Sequence, residues 1–254
     1  LDVNKMTFIN LNNVNLEFPI YNTQAFSLKN SILNATTGGM LRKREKNTYI
    51  VSALKNISFS LQEGDRLGLI GHNGAGKTTL LKLLAGIYSP SSGNVETKGK
   101  IATLFDILLG ARDDMTGYEG LYVSSLVRGK SVAESKHALS KMAEFTELGD
   151  FLNVPMRTYS SGMKLRIGFA VATEGTPDIL LIDEVFGAGD QNFVNKSRER
   201  LMSLIERSGI LVFSSHSEAL LKKLCNKIMV LEHGEIKAIG ETEEVLSFYK
   251  NSIG

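Results

Sequence analysis

Apolar and polar residues alternate over residues 8–18 and again over residues 49–61, the period expected of half-buried strands. Pro19 follows the first stretch and is expected to end it. Three other runs have a different pattern. Arg66-Leu67-Gly68-Leu69-Ile70, Ile179-Leu180-Leu181-Ile182 and Ile210-Leu211-Val212-Phe213 are short and almost continuously apolar, as in strands buried on both faces. Helical spacing marks residues 80–85, 117–127, 132–144, 165–172, 194–205 and 218–224. Residues 94–97 and 100–105 predict further strands, and residues 227–231 and 235–239 a closing hairpin around His233-Gly234. Buried strands alternating with helices predict an α/β fold with a mainly parallel sheet covered on both faces. Roughly residues 107–170 read as a helical insertion into it. Between the first two strands, residues 21–48 are irregular and carry the basic run Arg42-Lys43-Arg44-Glu45-Lys46. A solvated loop and a surface for lipid headgroups or a membrane partner both fit that run.

Composition narrows the function classes only a little. The 254 residues are 43% hydrophobic and 22% charged, enough apolar material for a sizeable core. A net charge of +2 gives no bulk signal for nucleic acid. One cysteine, Cys225, excludes an internal disulfide and reads as a small buried apolar residue. No apolar run reaches the roughly 18 residues of a membrane span, and no secretory pattern opens the sequence. Any work at a membrane is therefore expected to depend on a second protein that crosses it.

The chemistry is concentrated in a few strand ends. Gly71-His72-Asn73-Gly74-Ala75-Gly76-Lys77-Thr78, followed by Thr79, fits G-x-x-x-x-G-K-[ST] between a predicted buried strand and a predicted helix. Glycines let successive N–H groups turn into one concavity, and the helix N-terminus adds its positive dipole end. A polyphosphate fits there, with Lys77 reaching the β- and γ-phosphates and the Thr78 hydroxyl on Mg²⁺. The strand 179–182 runs into Asp183 and Glu184, which places two carboxylates at the edge where ligands bind in such sheets. Asp183 is expected in the Mg²⁺ shell and Glu184 as the general base for the attacking water. The strand 210–213 leads in the same way to His216, a candidate for contact with the γ-phosphate and that water. Ser160-Ser161-Gly162 precedes a helix, with Ser160 a plausible N-cap and the segment a second anion site. The rings of His72, His137 and His233 receive no role.

The order of these parts resembles the ATP-binding cassette ATPases over about residues 5–240. That resemblance implies a RecA-like P-loop NTPase core with an antiparallel β subdomain and an inserted helical subdomain, in one cassette domain spanning 1–254. It makes Tyr159-Ser160-Ser161-Gly162-Met163 the signature segment and Asp190 the D-loop acid. The Y-S-S-G-M-x-x-R form is similar to one branch, the ATPases of bacterial polysaccharide exporters. So are Asp183-Glu184-Val185-Phe186-Gly187-Ala188-Gly189-Asp190, Met115-Thr116-Gly117-Tyr118-Glu119 and the extension before Tyr49. Some members of that branch carry a C-terminal carbohydrate-binding domain, for which no room is expected after residue 254. The sequence departs from the pattern in places. The Q-loop glutamine is absent, and Asp106 is taken as its replacement near the metal. Gly110-Ala111-Arg112 stands where the branch has G-x-G-F, and Gly120 where it has asparagine. Tyr49 is chosen as the aromatic that stacks on adenine, with Phe18 and Tyr21 as competitors.

The resemblance further implies ATP and Mg²⁺ as ligands and a homodimer packed head to tail, since the chain holds one copy of each motif. It implies two membrane-spanning permease subunits, a lipid-linked polysaccharide as cargo, no nucleic acid, and a peripheral place on the cytoplasmic face of a bacterial inner membrane. O-antigen is the expected cargo, capsule or teichoic acid the nearest alternatives. A non-transport cassette ATPase is the reading from another class.

Overall fold

The computed structural model describes residues 6–21, 41–45, 48–105, 109–183 and 191–253, with side chains for 6–19, 49–105, 109–183 and 193–251. Asp106, Glu184 and Asp190 lie outside the described residues, as does the side chain of Tyr21. In chain order the elements are β1 (Phe8–Tyr21), β2 (Leu41–Glu45), β3 (Thr48–Gln62), β4 (Arg66–Ile70), α1 (Lys77–Leu84), β5 (Ser92–Lys98) and β6 (Ile101–Thr103). Then come α2 (Gly117–Val127), α3 (Val132–Thr146), α4 (Ser161–Ala172), β7 (Ile179–Ile182) and α5 (Gln191–Arg207). The chain closes with β8 (Ile210–Ser214), α6 (Glu218–Leu224), β9 (Lys227–Glu232), β10 (Glu235–Glu241) and α7 (Thr242–Ile253). Two compact units result: residues 1–101, 181–184 and 209–254 form one, residues 102–180 and 185–208 the other.

The first unit holds a four-stranded antiparallel sheet ordered β2-β3-β1-β5. Its register slips where Asn13 and Asn56 take φ near +50°, a conformation asparagine tolerates better than most residues. The bulges are satisfied locally: the Asn13 N–H donates to Ser58 Oγ (2.8 Å) and the Asn56 N–H to Asn15 Oδ1 (2.9 Å). Two expectations are corrected here. Strand β1 does not stop at Pro19 but runs to Tyr21, because pairing with β5 ends at Asn15. Beyond it β3 is the one neighbour of β1 among the described residues, and an edge stretch accommodates a proline. The basic run is not a loop either. Residues 42–45 belong to edge strand β2, with Arg42 opposite Ile50 and Lys43 opposite Tyr49.

The second sheet is ordered β10-β9-β4-β8-β7-β6, with β4 parallel to both β8 and β9 and β10 antiparallel to β9. Every residue of β7 and β8 is buried, and β4 is buried from Leu67 onward, as their continuous apolar sequences predict. Leu69 pairs with Ser214, so the phosphate loop after β4 and the histidine after β8 emerge at one edge. Helix α7 was not expected. It buries Val245 and Leu246, and the Thr242 hydroxyl at its start donates to the Cys225 carbonyl (2.9 Å).

The second unit is mainly helical. Capping boxes start α2 (Thr116 with Glu119) and α3 (Ser131 with Glu134), each satisfying two free helix N–H groups reciprocally. Helix α4 begins at Ser161, four residues before the apolar helical spacing sets in at Leu165, with Ser160 as the N-cap whose side chain accepts from the Met163 N–H. Phe145, Phe169 and Phe193 cluster with ring centroids 5.6–6.4 Å apart. The Arg166 and Arg200 guanidinium groups cover the Phe193 and Phe145 rings.

Candidate active site

The loop between β4 and α1 is shaped by glycines that no other residue could replace without distortion. Gly71, Gly74 and Gly76 have φ of +147°, +82° and +110°. A Cβ on Gly71 would lie 2.1 Å from the Leu231 carbonyl oxygen. Inside the loop the Ala75 N–H donates to the His72 carbonyl (3.1 Å). Lys77 is buried, and its ammonium donates to the carbonyls of Gly71 (2.6 Å) and His72 (3.2 Å), which holds the charge over the loop. Helix α1 has no side-chain cap and no acid in its first turn. Its N–H groups and dipole end are therefore available to an anion.

The loop forms one side of a cavity of about 410 Å³. Asp183, Ser214 and His216 line it from the sheet edge, and Phe18, Val51 and Ala53 from the antiparallel sheet. The Thr78 hydroxyl donates to Asp183 Oδ2 (2.6 Å). Ser214 is fully buried and its hydroxyl has no hydrogen-bond partner among the described residues. An orphaned buried hydroxyl in a cavity wall points to a polar ligand there. His216 is exposed, and Ser215 shapes its loop by accepting from the Ser217 N–H (3.1 Å). Tyr49 does not line the cavity. It stands one same-face step beyond Val51 on β3, whereas Phe18 pairs directly with Val51 and does line it. Phe18 is thus the aromatic that the geometry brings to the loop. Choosing it needed the β1–β3 register, which bulges displace.

These residues suit a nucleoside polyphosphate with a hard divalent cation. The loop supplies amide donors and one buried ammonium; Thr78 and Asp183 supply hard oxygens. No group of three or more His, Cys, Asp or Glu side chains able to hold a metal occurs among the described residues. Phosphate oxygens and water usually supply other ligands of this ion.

Ser160, Ser161 and Gly162 begin α4 in the second unit, with Ser160 and Ser161 exposed. The backbone N–H groups of Met156 and Arg157 donate to Met115 and Asp113 (2.7 and 2.8 Å), and Lys164 pairs with Asp113. Tyr159 reaches back to the Phe151 carbonyl (2.5 Å). Its hydroxyl occupies space that a Cβ on Gly117 would enter, 2.3 Å away. Burial holds the Tyr159 phenol above its ordinary pKa. These contacts fix the helix start and present it to solvent.

The family described as "ABC transporter" matches residues 54–187. The O-antigen export system ATP-binding protein RfbE of Yersinia enterocolitica is 49% identical over 91% of this chain and 97% of its own length. The chain belongs to the ABC transporter family. Another relative, the O-antigen export system ATP-binding protein RfbB of Klebsiella pneumoniae, is 33% identical over 96% of this chain and 98% of its own length. The teichoic acids export ATP-binding protein TagH of Listeria innocua is 34% identical over 93% of this chain and 68% of its own length. Among solved structures, a dimeric ATP-binding cassette in a post-hydrolysis state bound to ADP and Pi superposes with a TM-score of 0.64. It is 20% identical and covers 92% of this chain and 98% of that one. The ATP-binding subunit of an ABC transporter gives a TM-score of 0.66 at 21% identity, over 96% and 93%. The expected cassette fold is therefore the fold observed. No helix among the described residues is long and apolar enough to cross a membrane.

Proposed function

We propose that this ABC-family ATPase powers the export of a lipid-linked polysaccharide, O-antigen, across a bacterial inner membrane. The observation that carries the cargo is 49% identity, nearly end to end, to an O-antigen export ATP-binding protein. Teichoic acid is the second cargo reading, supported by relatives at 34–35% identity.

In this reading ATP lies in the cavity with its phosphates on residues 71–79 and its adenine on Phe18. Lys77 offsets charge on the γ-phosphoryl group, Glu184 takes a proton from the attacking water, and His216 orients that water. Thr78 and Asp183 would hold Mg²⁺, which would supply electrostatic stabilisation of the phosphate oxygens. Water attacks the γ-phosphorus, the bond to the β-phosphate oxygen breaks, and ADP and phosphate leave. Two copies pair head to tail, so that Ser160, Ser161 and Gly162 of one chain meet the γ-phosphate held by the other. Asp190 is assigned to the same junction and Asp106 to the metal side. Two permease subunits in the membrane receive the dimer, which sits at the cytoplasmic face.

Co-purification from native membranes tests this reading with wild type and Glu184→Gln. Recovery of a multi-span membrane protein with both chains, and ATP trapped in the variant, supports it. Soluble recovery with ribosomes or nucleic acid refutes the transport half.

A further inference from the structure

The β9–β10 hairpin touches the phosphate loop with its tip. Glu232 pairs with Glu235, which leaves a two-residue turn of His233 and Gly234. Both have positive φ (+50° and +80°), the conformation of a type I′ hairpin turn. Glycine is at home there; histidine is tolerated at some cost.

The tip makes backbone bonds in two directions. The Gly234 N–H donates to the carbonyl of Ala75, inside the phosphate loop (3.0 Å). The Gly234 carbonyl accepts from the Lys55 N–H on β3 (2.8 Å). A Cβ on Gly234 would lie 2.5 Å from the Ala53 carbonyl oxygen, so only glycine reaches both partners at once. The loop side packs against the hairpin as well: a Cβ on Gly76 would be in van der Waals contact with Gly234 Cα at 3.5 Å, and one on Gly71 would strike the Leu231 carbonyl oxygen near the end of β9 at 2.1 Å. The His233 ring rests on that of His72, with centroids 4.8 Å apart. His72 is held in turn by a contact between its Nδ1 and the Asn73 carbonyl (2.8 Å).

From this we infer that the His233–Gly234 turn is a positioning element for the phosphate loop, strapping it to β3 of the antiparallel sheet. The strap acts on the two walls of the nucleotide cavity together, because Ala53 lines one and Ala75 the other. Gly234 sets the separation of those walls, and the tilted contact between the His72 and His233 rings fixes the outer corner of the loop. Neither residue touches the reacting atoms. The inference takes from the proposed function only that ATP binds in this loop.

Two variants test it. Gly234→Ala forces the tip off β3, and His233→Asn keeps the left-handed turn but removes the ring that contacts His72. Amide hydrogen exchange of residues 71–79 is measured without nucleotide, alongside ATP dissociation constants and ATPase kinetics. Losing one backbone bond should speed exchange in the loop and weaken ATP binding about tenfold in Gly234→Ala. The His233→Asn change should be smaller and in the same direction, with kcat of the saturated enzyme within about twofold of wild type. Folded variants whose loop exchange and ATP affinity both match wild type overturn the strap. Should Gly234→Ala not fold, His233→Asn alone decides. If wild type itself binds no ATP, the proposed function fails, and loop exchange still decides the strap.

Discussion

The hydroxyl of Thr78 donates to the carboxylate of Asp183 across 2.6 Å, although 105 residues separate them. Thr78 lies in the first turn of α1 and Asp183 directly follows β7, so the fold makes a single oxygen site from a helix start and a strand end. Residues that serve one site should lose function together. Thr78→Val and Asp183→Asn are each expected to lower Mg²⁺-dependent ATPase kcat by about 100-fold or more. The double variant should be little worse than either single one. Steady-state kinetics against Mg²⁺ concentration measures the cycle, and fully additive losses would separate the two roles.

Ser214 gives the opposite balance of stability and activity. Its buried hydroxyl has no partner among the described residues, and the residue belongs to the cavity wall. Removing an unsatisfied hydroxyl should stabilise the fold, by about 1 kcal/mol for Ser214→Ala in urea unfolding. If the hydroxyl serves the bound nucleotide or its water, kcat falls roughly tenfold in the same variant. A variant that is both less stable and fully active would contradict this assignment.

Much of the site was readable in the sequence because its chemistry is written in short strings. Residues 71–79 carry their own turn, charge and helix start, and a four-residue buried strand before Asp183 is self-announcing. Ser160 was readable as a cap because capping is local. What was not readable depends on pairing across the chain. The basic run became β2 only because β3 offers it an edge, and Phe18 reached the cavity through a bulged register. Pro19 continued a strand because the pairing of β1 with β5 ends at Asn15. The turn at His233-Gly234 was legible, but its grip on Ala75 and Lys55 was not. Helix α7 had a signal that could have been used: Thr242 before Glu243 and Glu244, then Val245, Leu246 and Tyr249 at helical spacing.

Tyr159 and Gly117 fit each other too closely to vary independently. Tyr159→Phe loses the bond to the Phe151 carbonyl and should cost about 1 kcal/mol. Gly117→Ala places a methyl 2.3 Å from the phenol oxygen, which should cost roughly 1–3 kcal/mol. Together they should cost less than the sum, since Phe removes the atom that the methyl strikes. Thermal unfolding of the three variants checks this.

Burial pushes the Cys225 thiol from an ordinary 9.0 up to about 12, while nearby Arg66 pulls it slightly down. The folded chain keeps the thiol protonated above pH 9, whereas the unfolded chain releases the proton. Stability should therefore fall between about pH 9 and 12, at up to roughly 1.4 kcal/mol per pH unit from this group. Cys225→Ala should flatten that part of the profile in urea unfolding. An identical slope in both chains would show that the thiol is not shielded.

In the proposed function, ATP hydrolysis at this loop drives export of O-antigen. The most direct measurement replaces the chromosomal copy with Glu184→Gln in the bacterium of origin. Surface O-antigen and lipid-linked polymer at the inner face are then quantified, with protein level and membrane association matched to wild type. Surface O-antigen should drop to background while lipid-linked polymer accumulates inside. Normal surface O-antigen in cells carrying the variant would contradict it.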